Sequence, residues 1–276
     1  MDTFLKRDPG QAGATGFEAA GLRWLTEAPG GADVVTIVDE GPGWLETRRL
    51  TESAPGAADA EAFGRALART HAAGAPHLGC RPPGWSGNGY MGRAPLPLRD
   101  APSGSDAARA PSGNSSGSWG EFYAADRVLP YLPAAVANGS VDRDGERTLT
   151  VLAERLSEGV LDHPQPALVT GPAARLHGDL WGGNVLWAAA PGGRVRGTLI
   201  DPAAHGGHAE SDLAQLAVFG VPHRERIVAA YEEVSPFAPG RVERVGLHQL
   251  HMLIVHAALF GGGYGRRTVA VAARYL

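Results

Sequence analysis

Two aspartates and one asparagine stand in this sequence at a spacing that suits phosphoryl transfer. Asp179 lies two residues after His177, Asn184 follows five residues later, and Asp201 ends an apolar stretch further on. In such a transfer one carboxylate accepts the proton of an attacking hydroxyl, while an amide oxygen and a second carboxylate hold Mg²⁺ on the nucleotide phosphates. Each residue alone is more often an ordinary turn residue. Together they predict a base at Asp179 and Mg²⁺ ligands at Asn184 and Asp201.

Lys6 is the only lysine among the 25 Lys and Arg residues of the chain. In a sequence that otherwise uses arginine, a retained lysine suggests a position where the wider guanidinium fork fails. A compact ammonium can sit between two phosphates or pair with one carboxylate. Lys6 and Glu18 of a following helix resemble the phosphate clamp of kinases, in which a helical glutamate holds a strand lysine on the nucleotide phosphates, and we therefore expect the two to pair. The alternatives are a surface lysine left by chance and a solvated acid in the first helical turn.

Composition excludes several classes of protein. The 276 residues carry a formal net charge of −4, so no basic surface is expected to bind nucleic acid. No apolar run is long enough to cross a membrane, and the first six residues lack a signal-peptide pattern. Cys80 is the single cysteine, which excludes an intramolecular disulfide. We therefore expect a globular protein of a reducing cytoplasm, with neither nucleic acid nor membrane as a partner.

Hydrophobic periodicity predicts small α/β elements followed by a mainly helical part. Predicted strands cover 3–6, 34–38 and 44–47, with a hairpin formed by 184–187 and 195–200. Predicted helices cover 16–26, 60–73, 119–132, 146–158, 211–219, 224–234 and 241–260. The segment 101–118 is rich in Ser, Gly and Pro and predicts a flexible loop.

The string from His177 to Asn184, His-Gly-Asp-Leu-Trp-Gly-Gly-Asn, resembles the signature of the fructosamine kinase (ketosamine 3-kinase) family, relatives of aminoglycoside and choline kinases. The Leu-Trp after the aspartate is its specific part. Further similar segments are 17–22, 119–123 with Arg127, 200–203, 207–214, 219–220 and 256–264. The resemblance implies an α+β, protein-kinase-like two-lobe fold. Its truncated small N-lobe would cover 1–50, and its mainly helical C-lobe 51–276.

The same resemblance implies roles for individual residues. Asp179 would be the catalytic base, Asn184 and Asp201 the Mg²⁺ ligands, and Lys6 with Glu18 the pair on the ATP phosphates. A hinge whose backbone meets adenine would comprise Glu46, Thr47 and Arg48. Trp181 would shape the sugar pocket, since an aromatic face packs on the apolar side of a polyol; a place in the core is the alternative.

Four residues after the Asp201 stretch complete the set of candidates. His205, His208 and Glu210 are candidate substrate contacts, with a zinc site as the alternative reading. Asp212 stands where a helix should begin, so we expect it to cap amides and steady the catalytic loop.

Two departures from the family pattern affect these expectations. The family places a glycine-containing strand pair before the lysine strand, but here the sequence begins five residues before Lys6. We expect either a start placed too late or a truncated, partly open nucleotide site, with the lysine strand as an exposed edge. The 101–118 insertion lies near the segment 91–98, which approaches the substrate in relatives.

The resemblance implies an ATP- and Mg²⁺-dependent kinase that phosphorylates the 3-hydroxyl of ketosamines such as fructosamine or ribulosamine and so supports deglycation. Its acceptor would be a small ketosamine or a glycated protein amine. Two alternatives stay open. One is an aminoglycoside- or choline-kinase-like phosphotransferase acting on another alcohol. The other is an inactive, truncated kinase-like binding module.

Overall fold

The computed structural model describes residues 2–100, 118–190 and 192–276. The Ser/Gly/Pro-rich insertion lies outside these ranges apart from Ser118, so its predicted flexibility stays a prediction. The strands are β1 Thr3–Arg7, β2 Asp33–Val34, β3 Ile37–Gly41, β4 Trp44–Arg48, β5 Gly89–Met91, β6 Ala94–Leu96, β7 Ala174–Leu176, β8 Val185–Ala190, β9 Arg194–Leu199 and β10 His205–Gly207. The α-helices are α1 Ala14–Thr26, α2 Ala57–Ala72, α3 Trp119–Phe122, α4 Leu132–Ala137, α5 Arg143–Ser157, α6 Ala209–Gln215, α7 Arg224–Val234, α8 Arg241–Phe260 and α9 Gly263–Ala272.

The N-terminal elements form an antiparallel sheet of order β1-β4-β3, with Lys6 opposite Leu45. Helix α1 packs on this sheet through Leu22, which joins Leu45 and Val35 in one small apolar cluster. Because Lys6 and Leu45 are paired, Lys6 lies on the face of the sheet that α1 covers, where it can reach Glu18. This is the arrangement that the sequence predicts for their pairing.

The prediction of one strand over 34–38 is wrong. Val34 belongs to β2, which pairs in parallel with Leu199 of β9, whereas Ile37 begins β3 and pairs with β4. The chain changes partner between the two, because each half of this β-branched run meets a different sheet. The β2–β9 pairing also ties the N-terminal elements to the β8–β9 hairpin, on which Asn184 and Asp201 depend.

The remaining helices build the larger core, around α2, α7 and α8. The predicted bounds of α7 and α8 agree with the structure, and the predicted helix over 119–132 does not. After α3 the chain forms a π-helix, Tyr123–Val128, and a 3₁₀ turn, Leu129–Tyr131. Pro130 cannot donate a backbone hydrogen bond, so a continuous α-helix is broken here. No helix in the described part of the chain has the length and apolar character needed to cross a membrane.

Candidate active site

A tight loop between β7 and β8 carries the residues of the phosphoryl-transfer pattern. Gly178 adopts φ 84°, and a Cβ there would meet the carbonyl oxygen of Ala203 at 2.1 Å. Only glycine therefore lets the loop pass this close to the chain after Asp201. His177 bridges the same two segments: its Nε2 donates to the Ile200 carbonyl at 2.8 Å and its Nδ1 accepts from the Asp179 amide at 3.3 Å.

Asp212, fully buried in α6, holds this loop from behind. Its carboxylate accepts hydrogen bonds from the backbone amides of His177 (2.7 Å) and Gly178 (2.9 Å) and from His71 Nε2 (3.1 Å). Burial alone would raise the pKa of Asp212, but these donors hold it below its usual range. The expected steadying of the catalytic loop is present. The helix cap is different: His208, not Asp212, is the N-cap of α6.

Asp179 and Asn184 are in contact. Asn184 Nδ2 donates to the Asp179 backbone carbonyl at 2.7 Å and to its carboxylate at 3.2 Å. Burial raises the pKa of Asp179 to about 7; the hydrogen bond from Asn184 opposes this, and the charge of Asp201 adds to it. With its amide nitrogen committed to Asp179, Asn184 has its side-chain oxygen available for a cation.

Asp201 sits at the end of β9 in a left-handed backbone conformation, φ 54°. This conformation is uncommon for a residue other than glycine, and aspartate adopts it more readily than most. It directs the carboxylate toward Lys6, whose Nζ contacts both Asp201 and Glu18, the latter at 2.8 Å. Burial would lower the pKa of Lys6, but the two carboxylates raise it above its usual value, so the ammonium is charged. The predicted Lys6–Glu18 contact is confirmed, and the contact with Asp201 is additional.

These groups share one cleft. A cavity of about 580 Å³ is lined by Lys6, Glu18, Asp179, Asn184 and Asp201 together. The structure thus brings five predicted site residues, separated by up to 195 positions in sequence, to one surface.

The predicted hinge residues lie on the other side of Lys6. Thr47 and Arg48 line a second cavity of about 270 Å³, which Lys6 also borders. Glu46 points away from it and accepts a hydrogen bond from the Thr3 hydroxyl. The adenine-binding role of this segment stays a prediction.

Trp181 borders the cleft rather than the core. Its side chain is 37% exposed and packs edge-on against Phe219, with ring centroids 5.7 Å apart. Together with Asp179 it lines a third cavity, of about 390 Å³, on the side away from Lys6. The alternative that placed Trp181 in the core is wrong, because the loop between β7 and β8 leaves the indole at the surface.

His205, His208 and Glu210 lie behind the cleft. All three are buried, and none lines the two cavities beside Asp179 in the described part of the chain. His205 accepts from Arg127 Nε at 3.4 Å and donates to the Ala203 carbonyl at 2.8 Å. Glu210 forms a two-pronged ion pair with Arg244. The geometry speaks against direct substrate contact by these three side chains, because protein groups already occupy their polar atoms.

The histidine grouping also differs from the one that suggested zinc. His208 lies with His163 and His248, and their ring nitrogens fall within 4.8 Å of one another. His163 Nε2 lies 2.8 Å from His248 Nε2, and His248 Nδ1 lies 2.9 Å from the Ser211 hydroxyl. His208 bonds elsewhere: its Nε2 donates to the Pro164 carbonyl at 3.2 Å and its Nδ1 accepts from the Glu210 amide at 3.2 Å. Burial lowers the pKa of all three imidazoles, so they are neutral.

Sequence reasoning missed several residues of the cleft. Arg93, at the β5–β6 turn, lines both cavities beside Asp179, while Phe219, His256 and Phe260 line the smaller one. The resemblance places the segment 91–98 near the substrate and includes the string around His256. Nothing in the spacing of these residues predicts that Arg93 and His256 line one cavity with Trp181.

Comparison with known structures defines the class of fold. An ADP-bound aminoglycoside phosphotransferase superposes with a TM-score of 0.53 at 10% identity, covering 95% of this chain and 83% of its own. The fold is therefore the expected protein-kinase-like two-lobe α+β fold.

More similar proteins identify the family. The fructosamine kinase family model matches residues 106–276. A crystal structure described as a "putative fructosamine-3-kinase" from Thermobifida fusca has a TM-score of 0.79 at 36% identity, covering 99% of this chain and 85% of that one. A "probable ketoamine kinase" of Thermus thermophilus is 33% identical over 248 residues, 90% of this chain and 77% of the relative. This chain belongs to the fructosamine kinase family.

The matches to other relatives are shorter. The chain spans 45% of a "probable ketoamine kinase" of Klebsiella aerogenes and 43% of a ketosamine-3-kinase of Mus musculus, at 36% identity in each case. Members of such a kinase-like family use ATP and typically a divalent metal.

Proposed function

We propose that the protein is an ATP- and Mg²⁺-dependent kinase that phosphorylates the 3-hydroxyl of a ketosamine such as fructosamine or ribulosamine. The observation that carries this is the position of Asp179, which borders both the cavity of Lys6, Asn184 and Asp201 and the aromatic cavity of Trp181. A nucleotide on one side and a sugar on the other would meet at this carboxylate.

Asp179 would orient the acceptor hydroxyl and accept its proton. Its raised pKa, about 7, suits a base that works near neutral pH. Positioning and charge neutralisation are the main contributions a protein makes to phosphoryl transfer. Lys6, held by Glu18, would bind the phosphates.

Asn184 and Asp201 would hold Mg²⁺. The amide oxygen of Asn184 accepts no hydrogen bond from the described residues, and like the carboxylate of Asp201 it is a hard oxygen donor of the type that Mg²⁺ prefers. The residues therefore fit the ion. When bound, the ion would neutralise charge on the nucleotide phosphates. The backbone of Glu46, Thr47 and Arg48 would meet adenine, beside the cavity that Thr47 and Arg48 share with Lys6. The proposed lobes are a small N-lobe over 1–50 and a helical C-lobe over 51–276.

The product would be a ketosamine 3-phosphate, which breaks down and frees the amine, so the role would be deglycation of small amines or of proteins. The expected compartment is the cytoplasm. The buried thiol of Cys80, the single cysteine, is consistent with a reducing environment.

The test is ADP release with Mg²⁺, ATP and a panel of ribulosamine, fructosamine, an aminoglycoside and choline. We expect turnover of the ketosamines, with the phosphate located by ³¹P NMR. Asp179→Asn should lower kcat at least 1,000-fold, on the order of 4 kcal/mol of barrier, while ATP binding stays. Asp144→Asn, on an exposed face of α5, is the matched control.

Turnover of choline or an aminoglycoside alone would replace the ketosamine by another alcohol. Binding of ATP without turnover of any acceptor would favour the inactive binding module. Full activity of Asp179→Asn would remove this residue from the role of base.

A further inference from the structure

The turn between β5 and β6 places a cation where the two cavities meet. Gly92 takes a left-handed conformation, φ 58°, and Arg93 follows it at the tip of the hairpin. Arg93 lines the 580 Å³ cavity and the 390 Å³ cavity, as Asp179 and Trp181 do. This arginine therefore borders the place where an acceptor would lie.

The hairpin is hydrogen-bonded to a segment that precedes it in the sequence. Gln11 Nε2 donates to the Arg93 carbonyl at 3.2 Å, and the Tyr90 hydroxyl donates to the Ala12 carbonyl at 3.2 Å. The turn that carries Arg93 is thereby bonded to the loop between β1 and α1, which leads from Lys6 to Glu18.

The hairpin is also anchored on its C-terminal side. Arg127 Nη1 donates to the Pro97 carbonyl at 2.9 Å, and the Tyr131 hydroxyl donates to the Pro95 carbonyl at 2.9 Å. Arg127 is buried, and its Nε reaches His205, whose ring is fixed by the chain after Asp201. Bonds from both sides hold the turn in register with the catalytic groups.

The guanidinium of Arg93 makes no ion pair or hydrogen bond to any of the residues 2–100, 118–190 and 192–276. The nearby Arg99 differs, because its guanidinium is committed to Glu121 at 2.9 Å and Asp126 at 2.6 Å. An arginine that is anchored by its backbone and free at its head group is available to a ligand anion.

The smaller cavity has little other charge. Its described walls are mainly apolar or aromatic: Met91, Trp181, Phe219, Val255, Leu259 and Phe260. His256 also lines it, but burial lowers the pKa of that imidazole, so it is neutral at pH 7. Arg93 is the one arginine or lysine among these described lining residues, and Asp179 is the one acid among them.

Building on the proposed function, we propose that Arg93 selects ketosamines whose amine half carries a carboxylate, such as the ketosamine of an α-amino acid. The sugar hydroxyl would lie at Asp179, and the secondary ammonium against the faces of Trp181 and Phe219, where a cation is attracted to aromatic rings. The carboxylate would accept paired hydrogen bonds from the Arg93 guanidinium.

The test compares two acceptors that differ in one charge, the ribulosamines of glycine and of glycinamide. With the wild-type chain, kcat/KM for the glycine ketosamine should exceed that for the glycinamide ketosamine about tenfold, the size of one exposed charge-assisted pair. Arg93→Gln should lower kcat/KM for the glycine ketosamine about tenfold relative to that for the glycinamide ketosamine, so that the ratio of the two values falls to about one. Arg93→Lys should keep part of the preference. Arg147→Gln, an exposed arginine of α5, is the matched control and should keep all of it.

The outcomes separate this inference from the function on which it rests. Equal kcat/KM for the two acceptors in the wild type would overturn the inference and leave the kinase function standing. An equal loss for both acceptors in Arg93→Gln would also overturn it, and would assign Arg93 to the transferred phosphoryl group. Absence of turnover with either ketosamine would overturn both the function and the inference.

Discussion

Two aspartates of the same site, Asp179 and Asp212, differ in how the protein treats their charge. Asp212 is buried behind the catalytic loop and accepts three hydrogen bonds of 2.7–3.1 Å, which hold its pKa low. Asp179 faces the cleft and accepts one side-chain hydrogen bond, from Asn184, and burial raises its pKa to about 7. The charge of Asp212 is compensated within the fold, whereas the carboxylate of Asp179 lines the cleft, where the proposed acceptor would lie.

The two carboxylates are also connected. Asp212 binds the amides of His177 and Gly178, the two residues that precede Asp179. The carboxylate of Asp212 thus holds the loop that carries Asp179. Stability and reactivity are assigned to separate aspartates, and this division can be tested residue by residue.

The largest loss of stability is expected from Asp212→Asn. The amide cannot accept all three hydrogen bonds, and its NH₂ would face backbone donors, so we expect a loss of about 3 kcal/mol in the free energy of unfolding. Urea denaturation at pH 7 measures it, with exposed Asp144→Asn as control. A loss no greater than that of the control would contradict the assignment of Asp212 as the loop's main anchor.

Asp179→Asn should increase the free energy of unfolding, and only at neutral and alkaline pH. Because the pKa of Asp179 is raised in the folded state, its ionisation costs stability progressively as pH rises from about 4 to about 7. The variant has no such cost, so in Mg²⁺-free buffer it should be more stable than wild type by up to about 4 kcal/mol at pH 8 and nearly equal to it at pH 4. Thermal unfolding at the two pH values tests this. A gain that does not depend on pH would show that packing, and not charge, is responsible.

Asp212 predicts the reverse pH dependence. Its folded pKa is lowered, so its contribution is present above its unfolded pKa, near 4, and is lost only as pH falls below that value. The stability of Asp212→Asn should therefore approach that of wild type at acidic pH, while that of Asp179→Asn departs from it at alkaline pH.

The smallest effect on stability is expected from Lys6→Arg. This variant tests the cation of the cleft, where the variants above test its two aspartates. The charge is kept but the wider guanidinium fits this largely buried site less well, so the free energy of unfolding should fall by about 1 kcal/mol. The wider guanidinium cannot replace the ammonium between Glu18 and Asp201, so KM for ATP should rise about tenfold. Nucleotide titration and steady-state kinetics check this. An unchanged KM would mean that the lone lysine is retained for no reason connected with ATP.

Local patterns predicted the elements whose signals are local. The 3.6-residue periodicity placed α7 and α8 with their observed bounds. The same periodicity failed over 119–132, where the chain forms π and 3₁₀ turns around Pro130. The β-branched run over 34–38 wrongly predicted one strand, because its two halves pair with different sheets. The first failure arises from a residue inside the segment, whereas the second depends on strand partners that lie outside it.

The sequence by itself determined the chemistry: the residue types at Asp179, Asn184 and Asp201, the single lysine, and the family to which their spacing points. Only the tertiary structure decided which polar groups face the cleft. His205, His208 and Glu210 are close to Asp201 in sequence yet buried behind it, whereas Arg93 is distant in sequence and borders Asp179. Spacing along a chain determines which groups share a loop or a helix face. Whether a side chain is buried or reaches the cleft depends on the elements that pack on either side of it. Contacts between residues distant in sequence establish that packing.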